Sequence, residues 1–291
     1  MRSLLFVPAD GGAKLDKAVA SGADAVIVDL EDSIVPERKE AARKLALDFL
    51  KANAPKKDRP RLLVRINGLD TGMTDADLDA IVPGAPDAIL FPKAEGGATV
   101  THVDAKLTAR EAIAGLPEGS IKILAQTVES AMGLFTAGTY RNASARLIGM
   151  TWGPEDLSAE LGAEANREAD GTLTEPYRLA RTFCLLGAAA AKVPAIETIH
   201  VNFRDPDELR RDTELARRDG FAGRLAIHPA QVAVINAVFT PGAAQIEKAK
   251  TVVAAFAAKP GAGAVAIDGK MYDRPHLARA QALLEWLKTE S

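Results

Sequence analysis

Eight short apolar segments, separated by longer segments of helical periodicity, constrain the fold of this 291-residue chain more than any other feature. Most of them are apolar at nearly every position, as expected for parallel strands that are buried on both faces. The eight predicted strands are, in chain order, Ser3–Val7, Ala25–Leu30, Leu62–Ile66, Ala88–Phe91, Ile121–Val128, Arg146–Thr151, Thr198–Phe203 and Leu225–Ile227.

The connecting segments have helical signals. Pro36–Leu50 begins with a proline that suits a first helical turn, Glu175–Lys192 is rich in Ala and Leu, and Asp205–Arg218 places carboxylates at a helix N-terminus. Strands that alternate with helices predict an α/β fold, a (β/α)8 TIM barrel over residues 1–240. A doubly wound sheet is the alternative, but its glycine-rich first turn is not matched by Pro8–Gly12.

Residues 241–291 do not continue the repeat, and we predict that they form a C-terminal helical extension. Two predicted helices, Gln245–Ala258 and Arg274–Lys288, flank a Gly/Ala-rich stretch, Pro260–Ala266, which is typical of a mobile connector. The last helix carries leucines on a common face, so it is expected to pack on this barrel or on a neighbouring subunit.

Composition and charge exclude several classes of protein. The net charge is −3 and no basic stripe is present, so no nucleic-acid partner is expected. The apolar run Leu4–Val7 is too short for a signal peptide or a membrane span. Cys184 is the only cysteine, which precludes an internal disulfide, fits a cytoplasmic location, and is best interpreted as a small buried apolar residue.

Polar side chains concentrate where the predicted strands end. Barrel enzymes carry their catalytic groups at the C-terminal rim of the strands, whereas the strand starts of this chain carry little potential chemistry. We therefore predict an enzyme whose candidate residues are Asp29, Glu31, Asp32, Arg65, Lys93, Glu129, Asp156 and His228.

Glu129 and Asp156 are the candidate metal ligands. They lie 27 residues apart, about one βα unit, and so follow adjacent strands whose axes are about 5 Å apart. Two carboxylates this close repel each other unless one is protonated or a cation lies between them. Such a pair, completed by water and substrate oxygens, suits Mg²⁺, although two unrelated rim carboxylates remain the alternative.

Arg65 ends an apolar strand, where an unpaired charge would be costly. Its planar guanidinium suits a substrate carboxylate or carbonyl oxygen, and it can also pair internally with Asp29, Glu31 or Asp32. The two interpretations are compatible. The three acidic residues are therefore candidates for substrate binding together with Arg65.

Lys93 and His228 each leave two interpretations open. Lys93 could form a Schiff base, as in metal-free aldolases, but we favour an electrostatic partner for Glu129 or Glu95. His228 could orient a group at the rim and contact the substrate, or it could be a structural histidine.

Eight motifs together resemble the citrate lyase beta-subunit family, within the HpcH/HpaI aldolase superfamily. Each motif alone is weak, but they occur in order across nearly the whole chain. They are Arg2–Pro8, Asp29–Asp32, Val64–Asn67, Pro92–Lys93, Glu129–Leu134, Trp152–Leu157, Ile227–Pro229 and Asp268–Asp273.

The resemblance implies a TIM-barrel lyase that uses Mg²⁺ to cleave a malyl-, citramalyl- or citryl-type thioester into an acyl thioester and a 2-oxo acid. It assigns the metal to Glu129 and Asp156, substrate contact to Arg65, and an acid/base role to Asp273 on a lid that often reaches a neighbouring subunit. Trimers or hexamers are common in this family. The carrier of the acyl group would be coenzyme A or an acyl carrier protein.

Alternative activities within the family stay open: a citrate lyase beta subunit acting on citryl-acyl-carrier protein within a complex, or a malyl-CoA thioesterase or synthase. Two departures also bear on the substrate. Val128-Glu129-Ser130 replaces the usual Ile-Glu-Thr, and Trp152 replaces the usual Phe. Both departures keep the carboxylates, so they affect the expected pocket shape rather than the expected metal.

Overall fold

Eight parallel strands form a barrel in the computed structural model, which describes residues 1–290 and the side chains of residues 1–287. The strands are β1 Ser3–Pro8, β2 Ala25–Asp29, β3 Arg61–Arg65, β4 Ala88–Ala94, β5 Lys122–Thr127, β6 Leu147–Trp152, β7 Ile196–Glu197 and β8 Gly223–Ala226. Their order in the sheet is β6-β5-β4-β3-β2-β1-β8-β7, and a parallel bridge between Met150 and Ala195 joins the two ends of this sheet. The predicted TIM barrel is confirmed.

Helices connect the strands, as the helical periodicity predicts. The helices of this unit are α1 Ala13–Val19, α2 Lys39–Asn53, α3 Thr74–Ile81, α4 Gly97–Ala114, α5 Ala131–Thr136, α6 Pro154–Leu161, α7 Glu175–Ala191, α8 Pro206–Asp219 and α9 Pro229–Phe239. The predicted helix at Pro36–Leu50 is a 3-10 turn followed by α2. Asp205 caps α8 by accepting backbone hydrogen bonds from Asp207 and Glu208.

The strands separate two apolar layers because successive side chains point to opposite faces. One face packs against the helices, and the other fills the barrel with residues such as Leu4, Ile27, Leu63, Leu90 and Leu124. Continuing the same alternation to the C-terminal ends of the strands leads from this interior layer to the floor of a rim cavity. The residues at those positions are Phe6, Asp29, Arg65 and Gln126.

The seventh strand differs from its prediction. The predicted segment Thr198–Phe203 lies after β7, which is only two residues long and pairs with Gly223 and Arg224 of β8. Val201 and Phe203 are exposed, so the apolar character of this segment belongs to a rim loop. Its β-branched and aromatic residues have a high strand propensity, but tertiary context overrides it here.

Residues from Thr240 onward form a second compact unit. It contains α10 Ala243–Ala257, an antiparallel hairpin of β9 Ala264–Ile267 and β10 Lys270–Asp273, and α11 Arg274–Glu290, around a core that includes Val252, Phe256 and Val265. The predicted extension ends at Ser291, which lies outside the described residues. None of the helices described up to residue 290 is both long and apolar enough to span a membrane.

The hairpin corrects the prediction of a mobile connector over Pro260–Ala266, since its last three residues belong to β9. Asp268 and Gly269, both with positive φ, form the two-residue connection between β9 and β10. An Asp-Gly pair is the typical sequence of such a turn. The sequence therefore contained the signal for a hairpin, but the preceding Gly/Ala stretch obscured it.

Candidate active site

Arg65 lies at the centre of an ion-pair cluster at the end of β3. Its Nε and Nη2 donate to the two carboxylate oxygens of Asp29 at 2.7 Å each, and its Nη1 lies 2.8 Å from Oε2 of Glu31. Asp32 is farther away, at 3.5 Å, and is mostly exposed. The guanidinium also lies over the ring of Phe6, 4.9 Å from its centroid. The predicted internal pairing of Arg65 is therefore present.

The electrostatics of the cluster hold Arg65 charged. Burial alone would raise the pKa of Asp29, but the hydrogen bonds and charge of Arg65 outweigh it and lower that pKa below its ordinary value. At Glu31 the effect of burial is larger than the opposing effects of Arg65 and Lys93, so the pKa of this carboxyl is raised. The two hydrogen bonds to Asp29 use two of the five guanidinium N–H groups, whereas Nη1 contacts Glu31 only as an ion pair, so the remaining N–H groups can meet a substrate or Asp32.

Glu129 follows β5, and the local backbone fixes its carboxylate. Val128 adopts a φ of 53°, which is rare for a β-branched residue and indicates a conformation imposed by its surroundings. The backbone N–H of Lys93 donates to Oε2 of Glu129 at 2.7 Å, and Nε2 of Gln126 donates to Oε1. Gly153 leaves room for this carboxylate, since a Cβ there would lie 2.5 Å from Oε1.

The carboxylate of Glu129 is almost completely buried. Burial, together with the nearby negative charges of Glu31 and Asp156, raises its pKa to about 8. The hydrogen bond from Lys93 only partly offsets this effect. A bound cation strongly stabilises the ionised form of a carboxylate that is buried beside two others, because its charge offsets both the lost hydration and the mutual repulsion.

Lys93 differs from its predicted pairing. Its Nζ lies 2.8 Å from Oε1 of Glu31 and 3.3 Å from Oδ1 of Asp156, whereas Glu129 is contacted by its backbone N–H. Glu95 instead accepts a hydrogen bond from Ser130. The cause is the positive φ of Lys93, 47°, which breaks the alternation of β4 and directs the side chain towards β2.

Two cavities meet at Glu129 and Asp156, which line both of them. The larger one, about 440 Å³, has an apolar wall on the side of β1, β7 and β8, and its polar lining includes Arg65, Gln126 and the carboxylates of Asp29, Asp32 and Glu155. The smaller one, about 310 Å³, has no such apolar wall and is also acidic. Besides Glu129 and Asp156 its lining includes Asp70, Glu95 and Glu160, with Lys93 as the cation among its lining residues.

The donor set at this junction fits Mg²⁺. Within residues 1–290 no group of three or more His, Cys, Asp or Glu side chains is arranged to hold a metal, so a cation here takes two carboxylates from the protein. Mg²⁺ typically binds one or two carboxylates and keeps water or substrate oxygens in its other positions. The buried Glu129, held by Lys93 and Gln126 and given space by Gly153, satisfies that requirement.

Sequence reasoning missed Gln126 and Gly153. Gln126 lies two positions beyond the interior residue Leu124, so the period of two along β5 was the signal that could have identified it. The need for Gly153 depends on an approach by Glu129 from another strand, for which local sequence gives no signal. The departure at Trp152 also has a structural reason, because its indole N–H donates to buried Glu197 at 2.6 Å.

His228 and Asp273 are not among the residues that line the two cavities. His228 is exposed at the rim after β8 and stacks on Phe203. Asp273 ends β10 in the second unit, where its half-exposed carboxylate pairs with Nδ1 of His276, and this pairing lowers its pKa.

Two relatives are similar in sequence to this chain over almost its whole length. It is 34% identical over 286 residues to citrate lyase subunit beta of Leuconostoc mesenteroides subsp. cremoris, covering 98% of this chain and 92% of that protein. It is 36% identical over 289 residues to (3S)-malyl-CoA thioesterase of Cereibacter sphaeroides, covering 97% and 93%.

A solved structure extends this likeness to three dimensions. Protein CitE from Mycobacterium tuberculosis, in complex with magnesium, acetoacetate and coenzyme A, matches with a TM-score of 0.77 at 33% identity, covering 98% of this chain and 97% of that chain. The model of the HpcH/HpaI aldolase/citrate lyase family matches residues 2–229, the barrel that carries every rim residue described above. The chain therefore belongs to the HpcH/HpaI aldolase/citrate lyase family.

Proposed function

We propose that this protein is a Mg²⁺-dependent carbon–carbon lyase that cleaves a 3-hydroxyacyl thioester of the malyl, citramalyl or citryl type into an acyl thioester and a 2-oxo acid. The observation that carries the proposal is one cavity in which charged Arg65 faces the carboxylates of Glu129 and Asp156. Similarity to a structure bound to magnesium and coenzyme A supports both the metal and the thioester.

In this proposal Glu129 and Asp156 hold the metal. When bound, Mg²⁺ supplies Lewis acidity at the oxygens of the oxo-acid half of the substrate. The substrate hydroxyl gives its proton to a carboxylate base, for which we propose Asp273, and the electron pair of the breaking C–C bond passes to the thioester half. The N–H groups of Arg65 that do not bond to Asp29 stabilise the enolate oxygen that develops there, before the enolate carbon is protonated.

The positions of Lys93 and the acidic residues around it favour an electrostatic role over a Schiff base. Burial acts to lower the pKa of Lys93, but the hydrogen bond to Glu31 and the charges of Glu31 and Asp156 raise it above its ordinary value. A Schiff-base lysine needs the opposite shift, towards the neutral amine. We propose that Lys93 holds Asp156 and Glu31 in place, and that Asp29, Glu31 and Asp32 bind the substrate indirectly by orienting Arg65.

A lyase assay with malyl-, citramalyl- and citryl-CoA, in EDTA and in excess Mg²⁺, tests the proposal. We expect cleavage of at least one of them, loss of activity in EDTA and recovery on addition of Mg²⁺. Full activity in excess EDTA, or a covalent adduct at Lys93 trapped by borohydride, would contradict the metal mechanism. Release of free coenzyme A along with the oxo acid would instead identify the thioesterase alternative, which the likeness to malyl-CoA thioesterase favours.

We further propose that residues 241–291 act as a lid in a homo-oligomer, a trimer or hexamer, and that Asp273 serves the site of a neighbouring subunit. The supports are the resemblance around Asp268–Asp273 and the presentation of Asp273, half exposed at the end of a hairpin. A carboxylate whose pKa is lowered by His276 stays ionised at neutral pH, as a base requires.

Mixed oligomers test the lid directly. Glu129→Gln and Asp273→Asn are each expected to inactivate the protein, whereas co-expression of the two differently tagged variants should restore about one quarter of wild-type activity. That fraction follows because random mixing places an intact Glu129 beside a neighbour's intact Asp273 at about one site in four. No recovery in isolated hybrid oligomers, or a monomeric wild-type protein, would contradict a lid that acts between subunits.

A further inference from the structure

Lys39, at the start of α2, is a buried cation that the proposed chemistry does not use. Its Nζ donates to the backbone carbonyl oxygens of Leu30 and Glu31 at 2.7 and 2.8 Å, and to Oδ1 of Asn67 at 2.7 Å. All three N–H groups of the ammonium therefore have a partner, and the side chain is almost completely buried. Two successive carbonyl groups directly after β2 are thus bound by one side chain.

Burying this charge has a cost, which indicates what the lysine contributes. Burial lowers the pKa of Lys39 below its ordinary value, although the charges of Asp77 and Asp29 act to raise it. A neutral glutamine has only two N–H donors, in one plane, whereas the ammonium group meets three acceptors at once. What the buried charge adds over a neutral donor is therefore a single fixed geometry for the backbone after β2.

Asn67, the third acceptor, is itself held from its other side. Its backbone N–H and its Nδ2 both donate to Oδ2 of Asp77 at 2.6 Å. Asp77 is completely buried, and its other oxygen accepts from Nε of Arg43 at 2.7 Å. Arg43 belongs to α2, like Lys39, and Asp77 belongs to α3. Lys39 is therefore anchored in a buried network that links α2, α3 and the loop after β3.

Glu31 is the residue through which this network reaches the active site. Its carbonyl accepts from Lys39, and its N–H donates to a carboxylate oxygen of Asp29 at 2.9 Å, so both of its backbone polar groups are held. Its side chain extends from this backbone between Nη1 of Arg65 and Nζ of Lys93, each 2.8 Å from one of its two oxygens. A shift of the backbone would therefore displace the carboxylate from both cations.

We propose that Lys39 is a positioning residue for the lyase reaction. By fixing the backbone after β2, it places the Glu31 carboxylate between Arg65 and Lys93. This inference rests on the proposed function, in which Arg65 stabilises the developing enolate and Lys93 holds the metal ligand Asp156. Lys39 is not among the residues that line the two cavities, so its effect on the reaction runs through Glu31.

Replacement of Lys39 by methionine removes the three donors and keeps an unbranched side chain. We expect kcat to fall by about ten- to a hundredfold, since a misplacement of about 1 Å in an active site can cost a hundredfold. KM should change less, because Arg65 acts on the developing enolate. Lys39→Gln, which keeps two donors, should show an intermediate kcat, and it replaces Lys39→Met if that variant does not fold. Glu111→Gln, which removes a buried charge at the opposite end of the barrel, is the matched control and should keep wild-type kcat.

A double-mutant cycle with Glu31→Gln distinguishes positioning from a general loss of stability. If Lys39 acts through Glu31, Lys39→Met should lower kcat strongly in the wild type but by no more than about twofold in the Glu31→Gln background. The kinetics are measured for the folded fraction, which urea unfolding determines. Equal reductions of kcat in the two backgrounds, or wild-type kcat in Lys39→Met, would overturn the proposal while leaving the lyase function intact.

Hydrogen exchange tests the same assignment without any turnover. The N–H groups of Glu31 and Ser33 donate to Asp29, and in Lys39→Met the amides of residues 31–34 should exchange about tenfold faster or more. Those of β5 should be unchanged. If the protein cleaves none of the thioesters, the lyase proposal fails, whereas a change confined to residues 31–34 still supports the role of Lys39 in fixing this backbone. Equal acceleration in both segments would show that Lys39 stabilises the barrel as a whole, and would overturn the proposal.

Discussion

Replacement of Glu129 by glutamine is expected to lower kcat/KM of the Mg²⁺-dependent reaction by about a thousandfold. The loss of a metal ligand removes several kcal/mol of stabilisation of developing charge, and about 4 kcal/mol corresponds to that factor. The glutamine is neutral and offers a metal only an amide oxygen. It can keep both existing contacts without a clash, because its oxygen can accept from the N–H of Lys93 and its NH2 group can donate to Oε1 of Gln126, which is buried without a partner.

The stability of the metal-free protein distinguishes loss of a ligand from misfolding. Folding raises the pKa of Glu129 from 4.5 to about 8, so its carboxylate destabilises the metal-free fold increasingly as the pH rises between those values. Glu129→Gln carries no such charge. In EDTA the variant should therefore be at least as stable as the wild type to urea at pH 8. Added Mg²⁺ should raise the melting temperature of the wild type but not that of the variant.

A matched control is available in Glu111, another buried carboxylate, which pairs with Arg146 through two contacts of 2.7 Å. It bonds to the backbone of Gly119 and Ile121, just before β5, at the opposite end of the barrel from the rim. Glu111→Gln should cost about 3 kcal/mol of stability and leave kcat unchanged. A Glu129→Gln variant that keeps its Mg²⁺-induced stabilisation would contradict the assignment of this residue as a ligand.

Much of the barrel could be predicted because each strand carries its own signal. Seven predicted strands overlap observed ones, since buried parallel strands are apolar throughout, and four of the helices, α6 to α9, begin with Pro or Glu. The error at β7 arose because two residues of sheet are too short to recognise beside a rim loop as apolar as Val201 and Phe203. Propensity describes a local preference, whereas only the pairing with β8 determines where β7 ends.

Some of the residues that line the cavities could be predicted from the sequence, but not all of them and not all of their contacts. Asp29, Arg65, Glu129 and Asp156 were recognisable because a charge at the end of an apolar strand must face a cavity or a partner. The partners of Lys93 were not recognisable, because they depend on a positive φ at Lys93 that the sequence Pro92-Lys93-Ala94 does not predict. The space at Gly153 likewise depends on Glu129, a residue on another strand.

Replacement of Arg65 by leucine is expected to have two separable effects. The first is a loss of about 3–5 kcal/mol of stability at pH 7, because Asp29 would be left as a buried charge without its partner and Glu31 would keep only Lys93. In the wild type Arg65 outweighs the effect of burial and holds the pKa of Asp29 below its ordinary value of 3.8, so this contribution is lost only below that pH. In the variant, burial without Arg65 raises the pKa of Asp29, so the carboxyl takes up a proton as the pH falls from 7 and the cost of its buried charge decreases. The deficit of the variant, measured by urea unfolding, should therefore shrink between pH 7 and pH 4.

The second effect is on catalysis, where loss of a donor to the enolate oxygen should lower kcat by about a hundred- to a thousandfold. The double variant Asp29→Asn/Arg65→Leu separates the two, since removal of the buried charge should restore most of the stability while kcat stays low. Arg65→Lys should show an intermediate kcat, because an ammonium group cannot hold Asp29 through two contacts and still reach the substrate. If the double variant recovers wild-type kcat, Arg65 serves only to neutralise Asp29, and the enolate must be stabilised by another group.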